Sequence, residues 1–325
     1  TCSGADIVIG IFGGSVAEIF VGDGSDALIE ELTSAPEFSG RTFCVSTVAL
    51  GGYKQPQQLL ALQYFQSLGA RFDIVLLIDG FNDIALALAE NVPSGISIAY
   101  PWRWSLRIDG ALDPHFLPIL GQVSYLKQKR MEWAMVFRYV PLRFSTTASA
   151  VWMAWDRILS RRIATRKIAF LAERPPGPIP FAQRGPPQPA EGTGALLQEL
   201  VAIWQRSSLL MEHAVAARGG LYYHVLQPNQ YVEGSKPMGK VERSTAIVRN
   251  HPYGRWVHTG YPLLQHAGEE LRKGSINFLD ATMVFATHEE PLYVDNVGHF
   301  NSRGNAILGH FIAKAVLKDV RTRGG

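Results

Sequence analysis

The chain has 325 residues, of which 47% are hydrophobic, 18% charged and 10% aromatic. That apolar content, with no heptad or Gly-X-Y period, excludes a disordered, collagen-like or coiled-coil protein. A net charge of +3 gives little reason to expect a nucleic-acid partner, and the basicity is local: residues 127–174 carry eleven Lys/Arg against three Asp/Glu. No run of about 18 uninterrupted apolar residues occurs, so no transmembrane helix is expected. Two cysteines, Cys2 and Cys44, are too few for a disulfide scaffold or a Cys-rich zinc site. Cys44 lies in an apolar run and reads as a small buried residue rather than a nucleophile. The first residues show no charged leader or cleavage site. The expected location is extracytoplasmic, periplasmic or secreted, with any signal or anchor already removed.

Five short β-branched runs stand out in chain order. Asp6–Phe12 ends at Gly13-Gly14-Ser15, and Thr42–Leu50 ends at Gly51-Gly52. Asp73–Ile78 ends at Asp79-Gly80-Phe81-Asn82-Asp83, Leu221–Leu226 at Gln227-Pro228-Asn229-Gln230, and Ile276–Leu279 at Asp280. Apolar on successive positions, they read as strands buried on both faces, as in a parallel sheet. Helical periodicity fills the intervals. Pro56–Leu68 places Leu59, Leu60, Leu62, Tyr64, Phe65 and Leu68 on a broad face before Gly69. Ala195–Arg218, Tyr261–Lys273 and Asn301–Leu317 are the other helices. Strand–helix alternation predicts an α/β fold with helices on both faces of a parallel sheet.

Residues 100–194 break that alternation. They hold Trp102, Trp104, Trp133, Trp152 and Trp155, five of the seven tryptophans, and the basic cluster. Glu173–Gly194 contains seven prolines and reads as an extended, non-helical linker. The expectation is one domain over 1–325 with an insertion at about 100–194. That insertion reads either as packed structural helices, as a lid over the site, or as a membrane-surface element with Trp and Arg/Lys at headgroup level.

In open parallel sheets, functional groups collect where strands end. Ser15, Gly52 and Asn82 each follow a strand, and Val294-Asp295-Asn296-Val297-Gly298-His299 sets a carboxylate and an imidazole just before the last helix. A serine hydroxyl needs a base to take its proton, and the imidazole needs an anion to fix its tautomer. Backbone N–H groups of glycine turns and an Asn amide can face a developing oxyanion without a competing charge. Singly these signals are weak, since a serine after glycines is usually a turn residue. Gly10-x-x-Gly13-Gly14-Ser15 does not match the dinucleotide fingerprint, and no P-loop occurs. No His-x-His or His-x-x-x-His spacing points to a metal, so no cofactor and no metal are expected. Gln227 and Asn229 read either as amides binding a polar substrate or as a turn satisfying its own backbone.

Together the blocks Gly13-Gly14-Ser15, Gly52, Gly80-Phe81-Asn82-Asp83 and Asp295…His299, with Asn301-x-x-Gly304-Asn305 following, resemble the SGNH/GDSL hydrolase family over about 1–95 and 195–320. The resemblance implies a three-layer α/β/α sandwich with a flavodoxin-like parallel sheet and a serine esterase or acyl-transfer mechanism. It implies Ser15 as nucleophile, His299 as general base, Asp295 as the acid orienting it, and the Ser15 N–H, Gly52 N–H and Asn82 side chain as oxyanion hole. Two departures stand out. Gly14 replaces the family's aspartate, and the acid lies four residues before the histidine instead of three. Either the loop holds one extra residue or Asn296 orients His299; a carboxylate stabilises imidazolium better than an amide, which favours Asp295. The implied substrate is a small-molecule or glycan ester, with removal of acetyl groups from a carbohydrate foremost. An O-acyltransferase using the same residues and a non-catalytic glycan- or membrane-binding protein are the alternatives.

Overall fold

The computed structural model describes residues 2, 4–102, 117–138, 142–172 and 181–324. The strands are β1 (Ile7–Gly13), β2 (Phe43–Thr47), β3 (Ile74–Asp79), β4 (Leu221–Leu226) and β5 (Asn277–Asp280). They form one parallel sheet in the order β2-β1-β3-β4-β5. This is the flavodoxin-like order, in which the chain winds one way from β1 to β2 and the other way from β3 onward. Ligands bind outside the carboxyl ends of the strands at that reversal.

Period-2 alternation divides the core. Ile74, Leu76 and Ile78 of β3 face one layer, while Val75 and Leu77 face the other. The first layer is built by α1 (Ser15–Phe20), α2 (Asp23–Thr33) and, at the chain's end, Ser302–Gly324. The second contains α3 (Gln57–Ser67), α4 (Asn82–Asn91), Thr193–Ala216 and Pro252–Lys273. The architecture is therefore a three-layer α/β/α sandwich.

Several elements differ from the sequence reading. β2 ends at Thr47, but the chain stays beside β1 through Val48 N to Ile11 O (2.8 Å) and Leu50 N to Gly13 O (3.2 Å). On α3, Leu59 and Leu62 are buried, whereas Leu60, Tyr64 and Leu68 are exposed, because these three follow one another at i+4 along a separate stripe. Asn82–Asn91, for which the sequence reading named no element, is π-helical, and such segments gather at functional sites. The helix expected from Tyr261 begins at Pro252 and continues through Pro262; His251 caps it, its Nδ1 accepting from Tyr253 N at 3.2 Å.

Cys44 is half-buried and forms a disulfide with Cys2, their Cα atoms 5.5 Å apart. The reading of Cys44 as a small buried thiol is corrected. Two distant cysteines carry no sign of the Val8–Cys44 register that places the second beside the start of the sheet.

The chain divides into two compact units, Thr1–Trp102 with Gly185–Gly325, and Arg103–Arg184. The second contains α5 (Leu117–Arg138) and α6 (Thr146–Ala172). Arg130 reaches the Asp156 carboxylate with Nε and Nη2 at 2.5 and 3.0 Å, and Trp133 packs edge-on against Trp155. The segment expected to be extended over 173–194 includes a helical turn at Phe181–Arg184, four residues free of proline, and the next helix, α7 (Thr193–Ala216), begins inside it. Residues 173–180 and Trp104 lie outside the described residues. The remaining helices are α8 (Lys240–Ala246), α9 (Pro252–Lys273) and α10 (Ser302–Gly324).

Candidate active site

Ser15 is the first residue of α1, so its N–H lies in a helical turn that offers no intrahelical acceptor. Asp295 and His299 lie on a short loop closed by an antiparallel bridge between Tyr293 and Phe300, with Val294 N bonded to His299 O at 3.0 Å. Inside that loop Asp295 Oδ1 accepts from the Val297 and His299 amides at 2.9 and 3.2 Å. The turn leaves Oδ2 to meet His299 Nδ1 at 2.5 Å, and His299 Nε2 lies 2.6 Å from Ser15 Oγ. A carboxylate on Nδ1 favours the tautomer whose bare Nε2 accepts the serine proton. Asn296 stands apart from this line; its carbonyl accepts from Tyr231 OH at 3.3 Å.

Burial works to raise the Asp295 carboxyl, but its hydrogen bonds from His299 and the loop amides outweigh this and hold it below the usual carboxylate range. The carboxylate is thereby kept charged opposite the imidazole.

The Gly51-Gly52 turn runs beside Ser15, held there by Gly51 N donating to Glu18 Oε2 of α1 at 2.8 Å. Gly52 has φ +84°, and a Cβ there would stand 2.2 Å from Trp102 Cε3, so an indole lies directly against its backbone. Asn82 donates from Nδ2 to Tyr53 O at 2.8 Å, and the same nitrogen fills the place of a Cβ on Gly14. The 52–55 and 80–83 segments are tied from below by Asp83, which accepts from Gln55 N at 2.7 Å and Gly80 N at 3.1 Å. Lys54 is fully buried and donates to Ile98 O. Burial pushes the Asp83 carboxyl up and the Lys54 ammonium down.

Gln227 and Asn229, the candidate substrate amides, are 3% and 0% exposed. Asn229 Nδ2 would lie 3.1 Å from a Cβ on Gly298, so these amides pack beneath the Asp295–His299 loop. Gln230 supports the same loop, donating to Asp295 O at 3.2 Å.

A second Ser–His–Asp string lies deeper. His224 Nε2 meets Asp79 Oδ1 at 2.9 Å and its Nδ1 meets Ser208 Oγ at 2.8 Å. Exposure separates the two strings: the His224 side chain is 0% exposed and that of His299 18%. The buried string, joined by Trp204 Nε1 donating to Asp79 at 2.7 Å, fastens α7 to β3 and β4. Among the described residues, no three His, Cys, Asp or Glu side chains converge as a metal site.

Glu18 and Lys54 are the neighbours that sequence reasoning passed over. Trp102 was read only as part of the insertion, not as the residue covering Gly52, and Gln230 only as part of the amide tract after the fourth strand, not as a support of the Asp295–His299 loop.

A scan against protein-family models finds no match, and a comparison with curated proteins finds none either. Among solved structures, the chain is similar to a catalytic mutant of Axe2, an acetylxylan esterase from Geobacillus stearothermophilus. Identity is 11%, with 98% of this chain and 96% of that one covered at a TM-score of 0.42. It is also similar to the acetyl xylan esterase AlAXEase, at 11% identity over 96% of this chain and 99% of that one, with a TM-score of 0.41.

Proposed function

We propose that the chain is a serine-dependent carboxylester hydrolase of the SGNH/GDSL type that removes acetyl groups from a carbohydrate. The observation that carries the ester chemistry is the unbroken line Ser15 Oγ–His299 Nε2 (2.6 Å) and His299 Nδ1–Asp295 Oδ2 (2.5 Å). In this reading Ser15 Oγ attacks the ester carbonyl carbon while its proton passes to His299 Nε2. Asp295 stabilises the imidazolium. The carbonyl oxygen, now negative, is met by the N–H groups of Ser15 and Gly52 and by the second N–H of the Asn82 amide. Collapse breaks the carbon–oxygen bond of the alcohol, which leaves with the proton from His299. Water, giving its proton to His299, then attacks the acyl-Ser15 ester; the acyl carbon–Oγ bond breaks, the proton returns from His299 to Ser15 Oγ, and the acid is released.

The sugar part of the proposal draws on the family resemblance and on Trp102. Trp102, against Gly52, places an aromatic ring beside the proposed oxyanion donors, a side chain of the kind that packs on the C–H face of a pyranose ring. The Cys2–Cys44 disulfide supports an oxidising, extracytoplasmic setting. Among the described residues no helix is long and apolar enough to cross a membrane.

Labelling with a fluorophosphonate and mapping the modified residue tests this reading. Attachment to Ser15, together with loss of ester turnover in Ser15→Ala, is the expected result. Attachment to another serine refutes it, and absence of turnover in the wild type points to a binding protein. Acetate released to water, rather than acetyl found on an added sugar, separates hydrolase from transferase.

A further inference from the structure

A cavity of about 670 Å³ lies in the first unit, walled by Tyr231, the 247–251 segment and the first turns of α9. Its volume falls in the range of small-ligand sites. Arg249, His251, Arg255 and His258 line it, and none of its lining residues is a carboxylate. The Arg255 guanidinium stacks on Trp256, 4.7 Å from the ring centroid, so one cation is held in place by an aromatic face within the lining.

Two chains of contact connect this cavity to the candidate active site. Tyr231 OH lies between the Val248 backbone and Asn296 O, next to Asp295. On the other side, the His251 ring packs on Tyr253, with centroids 4.3 Å apart, and Tyr253 OH donates to Glu90. Glu90 in turn accepts from Trp102 Nε1 at 2.6 Å, and Trp102 covers Gly52. One lining residue, Tyr231, thus touches the acid–histidine loop directly at Asn296, while the oxyanion turn is reached only through Tyr253, Glu90 and Trp102.

We propose that this cavity is a subsite for a carboxylate-bearing sugar adjacent to the ester, so that the substrate is an acetylated acidic glycan. The inference rests on the esterase reading above. Guanidinium groups match a carboxylate with two parallel N–H donors, and an aromatic lining accepts the apolar face of the ring. Arg249 and Arg255 are both exposed, and no carboxylate in the lining competes for them.

The test compares an O-acetylated oligouronate with an O-acetylated neutral xylo-oligosaccharide of equal length, using the full chain. Wild type is expected to prefer the acidic substrate in kcat/KM, and added salt is expected to narrow that preference. Arg249→Gln and Arg255→Gln should each reduce the acidic-to-neutral ratio by roughly fivefold to tenfold. Equal kcat/KM for the two substrates in wild type, or variants that keep the wild-type ratio, overturns the subsite. Calorimetric binding of a non-acetylated oligouronate to Ser15→Ala protein isolates the subsite from catalysis. Binding that weakens in the arginine variants supports it even if ester turnover fails. Absence of binding while 4-nitrophenyl acetate is still hydrolysed rejects the subsite and leaves the esterase standing. Thermal melts of both variants at the wild-type midpoint confirm that charge, not folding, is being read.

Discussion

Asn82 Nδ2 stands 2.1 Å from where a Cβ on Gly14 would be, so the amide occupies space that any side chain at position 14 would claim. The glycine next to Ser15 and the asparagine after β3 are thus one steric unit. Gly14→Ala is expected to push Asn82 off Tyr53 O and lower kcat. Asn82→Ala, which removes the amide itself, should cost about 10²–10³ in kcat with KM little changed. Steady-state kinetics on 4-nitrophenyl acetate checks both. A Gly14→Ala variant with full kcat would show that the amide position is not what activity depends on.

Asp295 and Asn296 give opposite expectations. Asp295→Asn removes the charge facing His299 Nδ1 and should lower kcat by about 10³–10⁴, whereas Asn296→Ala leaves intact the backbone carbonyl that meets Tyr231. The reverse ranking in kcat would assign the orienting role to Asn296.

The same carboxylate links stability to acid. Its folded-state pKa is depressed below 3.8, so its contribution is present above that value and is lost as pH falls through the lower, folded value. Urea unfolding of wild type and Asp295→Asn should therefore differ more at pH 6 than at pH 2. A difference that grows on acidification would contradict the assigned direction.

How much of this site could be read in the sequence depended on the kind of signal. The ends of β1 and β3 were legible because their apolar runs stop at Gly13 and Asp79, and the sheet order brings Ser15 and Asn82 to neighbouring carboxyl ends; the run to Leu50 overshot β2, which ends at Thr47. The α1 and α2 helices were not legible, since α1 is only six residues long and α2 carries Gly24 in its first turn. Lys54 gave no sign of burial because a lysine beside a Gly-Gly turn normally lies in water. The π-helical geometry of Asn82–Asn91 leaves no trace in a run of Ala, Leu and Ile that suits any helix.

The Cys2–Cys44 bridge spans 42 residues and ties the segment before β1 to the edge strand β2. Closing a loop of that length restricts the unfolded chain by about 4 kcal/mol in the chain-entropy account. The paired variant Cys2→Ser/Cys44→Ser is expected to unfold at lower urea, and reductant should shift wild type toward it while leaving the variant unmoved. Equal midpoints for oxidised and reduced wild type would show that the bridge adds no stability.

The first unit holds its own two chain ends together at the point where the second begins and ends. A Cβ on Gly185 would lie 2.4 Å from Tyr100 Cδ2, so those two residues are in direct contact. Gln188 fastens the same junction, donating to Ile96 O at 2.8 Å and accepting from Ile98 N at 3.0 Å. Both sets of contacts lie wholly inside the first unit. Excision of 103–184 with a few glycines joining Trp102 to Gly185 is therefore expected to leave a protein that melts cooperatively and is still labelled at Ser15. The excised part carries exposed Tyr125, Met131, Trp133, Met135 and Met153 beside its basic residues, a composition suited to a headgroup interface. Any affinity of the full chain for anionic vesicles should accordingly be lost on excision and weaken with salt beforehand. Vesicle binding that survives excision would place the membrane contact on the first unit. Loss of cooperative melting would show that 103–184 is part of the fold that holds Ser15 and His299 in place.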